Sequence, residues 1–117
     1  VTVDVDVVRD RSVHLYEKVV RDGIAMDSAE EISVNKICAI VGRSELRDVV
    51  DLCALEGRGL RVEEYLAQAQ RKDGGVTPAT LGWLLGSIRC DDAKSQTFAL
   101  QLSERMLALA APPKGEP

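Results

Sequence analysis

The period-two apolar patterns of this chain fall within its first 27 residues, and from Ser28 onward the spacing turns helical. This segregation constrains the fold most. Strands gathered at one end and helices at the other give an α+β arrangement, not an alternating α/β one. Val1-Thr-Val-Asp-Val-Asp-Val-Val8 alternates strictly, with Val1, Val3, Val5 and Val7 on one face and Thr2, Asp4 and Asp6 on the other. Residues 9–12 read as a polar loop. Residues 13–20 fit two patterns: Val13, Tyr16 and Val20 share a helical face, while Val19-Val20 can begin a strand. Asp22-Gly23 followed by Ile24-Ala-Met26 predicts a short hairpin. A lone hairpin is marginal, so residues 1–27 are expected to complete a larger sheet. The chain starts at Val1 in mid-pattern, without a methionine, and is expected to be the later part of a longer protein.

The remaining residues predict about five helices over 28–111. Ser28-Ala-Glu-Glu31 is a capping box, in which the serine takes an orphan amide and the glutamate reaches back. That helix runs to about Val41, with Gly42 as its stop. Ser44 caps a second helix to about Leu55, and Gly57 and Gly59 break the chain again. A third amphipathic helix covers 60–72, with Leu60, Val62, Tyr65, Leu66 and Ala69 inward, and Asp73-Gly-Gly75 ends it. Thr77-Pro78 opens a fourth, carrying Leu81, Trp83, Leu84, Leu85 and Ile88. The last runs from Asp92 or Ala93 to Ala110, with Phe98, Leu102, Met106 and Leu109 in register. Trp83 and Phe98 are expected in the core. Residues 112–117 read as a disordered tail. A length of 117 residues suits one compact unit.

Composition excludes several function classes. No apolar run reaches the ~18 residues of a membrane span. A net charge of −4 and the lack of a basic helix argue against a nucleic-acid binder. Ten of the fifteen basic residues are arginine, which leaves a local anion site open. Cys38, Cys53 and Cys90 are odd in number and lack C-x-x-C spacing. They point to a reducing, cytoplasmic setting and to small buried apolar roles. His14 is the single histidine, so a multi-histidine metal site is excluded. No phosphate loop and no Ser/His/Asp or Cys/His set is present.

Three constellations could carry chemistry. Asp4 and Asp6 project from one face of a strand and either hold a hard divalent cation between them or form an ordinary solvated face. Lys36 lies four residues after Ile32 and four before Ile40, inside their stripe. Its amine either meets an anion or snorkels into water. In Arg43-Ser-Glu-Leu-Arg-Asp-Val-Val-Asp51, Arg47 and Asp51 can pair at i, i+4, and Asp48 shares a face with Asp51. The segment is either a surface salt-bridged helix or a buried Arg/Asp network facing the lysine of the preceding helix.

The stretch Glu31-Ile-Ser-Val-Asn-Lys36-Ile-Cys-Ala-Ile-Val-Gly-Arg43-Ser-Glu-Leu-Arg47-Asp48-Val-Val-Asp51-Leu resembles the later half of the AbiEii/AbiGii-type nucleotidyltransferase toxins. The shared pattern is a Glu-rich helix start, a lysine, an alanine three residues on, an arginine, then Arg-Asp-hydrophobic-hydrophobic-Asp. The strand at 1–8 and the segment Lys72-Asp-Gly-Gly-Val-Thr-Pro-Ala-Thr-Leu81 extend the likeness over roughly residues 1–90. The resemblance implies a polymerase-β-like enzyme, a toxin of a bacterial type IV-like toxin–antitoxin pair, that transfers a nucleotide from an NTP with Mg²⁺. It assigns Lys36 to the phosphates and Asp48 and Asp51 to the acids acting with it. Arg43 and Arg47 join the substrate-binding set, and Asp6, with Asp4, supplies a sheet carboxylate for the metal. The family's Gly-Ser hairpin with paired carboxylates and its Lys-Glu-Thr element are missing from these residues. The chain is therefore expected to be half of an active site, inactive without an N-terminal half. The alternative is a stand-alone interaction module, antitoxin-like or homodimerising through residues 1–8, because an unpaired edge strand recruits another.

Overall fold

The structure, a computed structural model, describes residues 16–111. The strand pattern at 1–8 with Asp4 and Asp6, His14, and the expected tail at 112–117 lie outside the described residues. The fold is α+β: a two-stranded antiparallel hairpin, then five α-helices among the described residues. The hairpin comprises β1 (Val19–Arg21) and β2 (Ile24–Met26), with Val19 opposite Met26 and Arg21 opposite Ile24. Asp22 and Gly23 both take positive φ, 52° and 78°. Two such residues form the mirror-image turn whose twist suits a two-residue hairpin, which is why Asp-Gly stands there. A salt bridge of 2.8 Å from Lys18 Nζ to Asp27 Oδ1 closes its open end.

The helices are α1 (Ala29–Gly42), α2 (Leu46–Gly57), α3 (Leu66–Lys72), α4 (Pro78–Ser87) and α5 (Ala93–Ala110). Helix α1 is central and packs on α2, α3 and α4, and α5 covers α2 and α4. Val34, Ile37 and Ile40 of α1 meet Val49, Leu52, Leu81, Leu85, Leu102 and Met106 in one core. Helices α4 and α5 run antiparallel in close contact. A Cβ on Gly82 would lie 2.6 Å from Leu107 Cγ, and one on Gly86 would lie 3.1 Å from Ser103 Oγ. Only hydrogen fits at Gly82, and Ser103 Oγ uses the proximity to donate to the Gly82 carbonyl at 2.6 Å. Thr77 and Asp92 cap α4 and α5 through Thr80 N–H and Ser95 N–H, as their types predict.

Several expectations are corrected. Ser44 does not cap α2. It takes a φ of 52° and its hydroxyl donates back to the Ile40 carbonyl at 2.5 Å, closing the end of α1. Helix α2 begins after Glu45 with no side-chain cap. The third helix is not continuous over 60–72. Val62–Tyr65 is a 3₁₀ turn ahead of α3, because Glu56 accepts the Val62 N–H at 2.9 Å and Arg105 holds Glu63. Trp83 is 69% exposed. The buried arc of α4 is Leu81, Gly82 and Leu85, and position 83 falls on the opposite side. Leu109 is 52% exposed as well. The cysteines are free and half-buried instead of fully enclosed. Among the described residues no helix is long and apolar enough to cross a membrane.

Candidate functional site

The corner between α1 and α2 gathers charge. Arg43 follows α1 directly, and Asp48 sits in the first turn of α2, where a negative charge suits the helix dipole. The tight reversal at 43–45 turns the guanidinium onto the carboxylate. Arg43 Nε donates to Asp48 Oδ2 at 3.0 Å and Nη2 to Oδ1 at 2.8 Å, a two-pronged grip. Asp48 is fully buried, so both of its oxygens are removed from water and accounted for by this pair. The hydrogen bonds from Arg43 hold Asp48 below the ordinary carboxylate range, against burial, which pushes the other way.

Lys36, two turns earlier on α1, completes the cluster. Its amine lies 2.8 Å from Asp51 Oδ2 and 3.7 Å from Asp48 Oδ1. Its side chain is 23% exposed, and it reaches acids of the next helix, not open water. Beside it Asn35, Lys36, Ala39, Gly42 and Arg43 line a recess of about 310 Å³. The lining combines the small residues Ala39 and Gly42 with two cations.

The structure thus brings together Lys36, Arg43, Asp48 and Asp51 and leaves out Arg47. The i, i+4 pairing of Arg47 with Asp51 does not form. Arg47 Nε turns back to Glu45 Oε1 at 2.8 Å and its side chain is 64% exposed. Asp4 and Asp6 lie outside the described residues. Among the described residues no group of three or more His, Cys, Asp or Glu side chains could hold a metal. Asp48 is gripped by Arg43, and Asp51 meets the Lys36 amine. Burial raises the Cys38 and Cys90 thiols, which suits inert cysteines and not nucleophiles.

Two further polar clusters escaped the sequence. Glu31 is fully buried, and its carboxylate pairs with Lys72 and accepts the Tyr16 N–H at 2.7 Å. Lys72 Nζ, 4% exposed on its side chain, also donates to Asn35 Oδ1 at 2.6 Å. Glu31 keeps half of its capping box: its own N–H donates to Ser28 Oγ at 3.1 Å, but the carboxylate serves α3 and the approach to the hairpin. The second cluster is Arg105, which donates from Nη1 to Glu56 at 2.9 Å and from Nε to Glu63 at 2.8 Å. It ties α5 to the end of α2 and to the 3₁₀ turn. The only sequence signal for either was the charge itself.

No family model matches the chain, and neither a curated protein nor a solved structure matches it.

Proposed function

We propose that the chain is the C-terminal portion of a polymerase-β-like nucleotidyltransferase, a toxin of a toxin–antitoxin pair, in which Lys36 contacts the phosphates of an NTP. One observation carries the reading. The lysine, arginine and two aspartates of the resembling motif, although spread over α1, its C-terminal corner and α2, meet in a single cluster beside an open recess. A lysine amine on a packed helix is a point charge suited to a phosphate chain, and such transfer depends on positioning and charge. In this reading Asp48 positions Arg43 and the start of α2, and Asp51 is the acid at the amine. Asp6, with Asp4, is the sheet carboxylate this chain would add for the metal, whereas the Gly-Ser element and its paired carboxylates come from the missing half, so this chain by itself binds NTP without transferring it. Its free cysteines suit a reducing cytoplasm. The test is NTP binding followed by amide shifts: Lys36→Ala removes the response of α1 and leaves the fold intact. An unchanged titration rules the assignment out.

A second reading, a non-catalytic interaction module, draws on the hairpin. Val20 is 67% and Ile24 63% exposed, on opposite faces of a two-stranded sheet. Such a sheet gains from a further strand. Sedimentation at micromolar concentration tests it: a dimer favours the module, and a clean monomer counts against homodimerisation.

A further inference from the structure

The four charges of the corner are not equivalent. Asp48 is buried and gripped through both oxygens, so nothing small displaces it. Asp51 is its opposite: its side chain is 48% exposed, and Lys36 is its ion-pair partner among the described residues. Pairs this open to water favour the closed geometry only a few-fold. Lys36 of that pair also lines a recess with Arg43, Ala39 and Gly42, and a Cβ on Gly42 would meet nothing within 4 Å. An anion entering there meets two cations, each with a carboxylate already: Arg43 holds buried Asp48 through Nε and Nη2, and Lys36 holds the exposed Asp51 loosely.

We propose that Asp51 is an exchangeable counter-ion that occupies the Lys36 amine at rest and is displaced when a polyphosphate enters the recess between Lys36 and Arg43. The proposal rests on the reading of Lys36 as a phosphate contact. The amine stays oriented without ligand, and every binding event includes the release of Asp51 to water. Asp51 therefore weakens polyphosphate binding and sharpens selection for ligands with more than one charge, since a single charge replaces the carboxylate without gain.

The probe is inorganic tripolyphosphate, titrated calorimetrically at low, fixed salt into wild type, Asp51→Asn, Lys36→Met and the double variant. Asp51→Ser serves as a second release variant should the asparagine fold poorly. The expected result is two- to fivefold tighter binding for Asp51→Asn, at least tenfold weaker binding for Lys36→Met, and no tightening by Asp51→Asn in the Lys36→Met background. Equal affinity of Asp51→Asn and wild type, with Lys36→Met still weakened, overturns the counter-ion and leaves the phosphate contact standing. Tightening that persists undiminished without Lys36 reports net charge alone and also overturns it. Wild-type affinity in Lys36→Met, or no binding by any form, overturns both.

Discussion

Replacing Asp48 by asparagine separates a structural carboxylate from a purely chemical one. The side chain is fully buried and receives two charge-assisted hydrogen bonds, from Arg43 Nε and Nη2. Such bonds contribute about 1.5–3 kcal/mol each where water is excluded. Breaking a sealed ion pair costs ~3–5 kcal/mol. Here the partner is 43% exposed and can turn into solvent, which lowers the loss. Asparagine is nearly isosteric and keeps one acceptor, so no cavity opens and one bond survives in weaker form. The expected loss is about 1.5–2 kcal/mol at neutral pH. With a urea dependence of about 1.5 kcal/mol per molar, the unfolding midpoint falls by about 1 M. The effect carries a pH signature. Asp48 titrates below its unfolded value of about 3.9, so its contribution is complete above that range. It is lost as pH falls through the lower folded value. The gap between wild type and variant is therefore full at pH 7 and closes on acidification. Coincident urea curves at pH 7 would refute the reasoning, and so would a gap unchanged at the acid end.

Two glycines are expected to respond with opposite signs. Gly82→Ala places a Cβ 2.6 Å from Leu107 Cγ and 3.2 Å from the Leu107 backbone nitrogen, so α4 and α5 must part. The strain outweighs the ~1 kcal/mol of helix propensity that alanine adds, for a net loss of about 1–2 kcal/mol. Gly42→Ala meets nothing within 4 Å and is expected to stabilise by about 0.5 kcal/mol, so thermal melts should move in opposite directions. Arg105→Met leaves Glu56 and Glu63 without their shared cation and costs about 2 kcal/mol at pH 7. The Arg105 hydrogen bonds bring Glu63 down to about 2, so this contribution holds above the ordinary carboxylate range and is lost only as pH falls toward that value. The melting temperatures of wild type and variant should therefore converge at the acid end.

Much of this fold was written locally. The Asp-Gly turn needs positive φ twice, and Thr77-Pro78 and Asp92 mark helix starts through bonds spanning only three residues. Ser28 likewise caps α1 as its spacing requires. Where a residue had two partners within reach, local spacing chose wrongly. Ser44 stands next to both α1 and α2, and a serine after a helix stop reads as the cap of the next helix, yet its hydroxyl turns back to Ile40. Glu31 stands three residues after a serine, but its carboxylate is claimed by Lys72 and the Tyr16 amide.

The corner cluster extends the same logic to the candidate site. A lysine inside the Ile32–Ile40 stripe signalled that an anion or open water must meet its amine, and acids on the following helix meet it. Which arginine joins them could not be read from helical spacing. The i, i+4 rule pairs Arg47 with Asp51 on one exposed helix face, where such a pair is worth only ~0.3–0.5 kcal/mol. Arg43, just past the end of α1, instead reaches a carboxylate already removed from water. A lone buried carboxylate is far more costly than an exposed arginine left to solvent, so the tertiary pair outweighs the local one. Once Arg43 satisfies Asp48, Lys36 is left to the looser acid, Asp51. Burial of one aspartate and exposure of the next thus decide which cation is fixed in place and which can be released to a ligand.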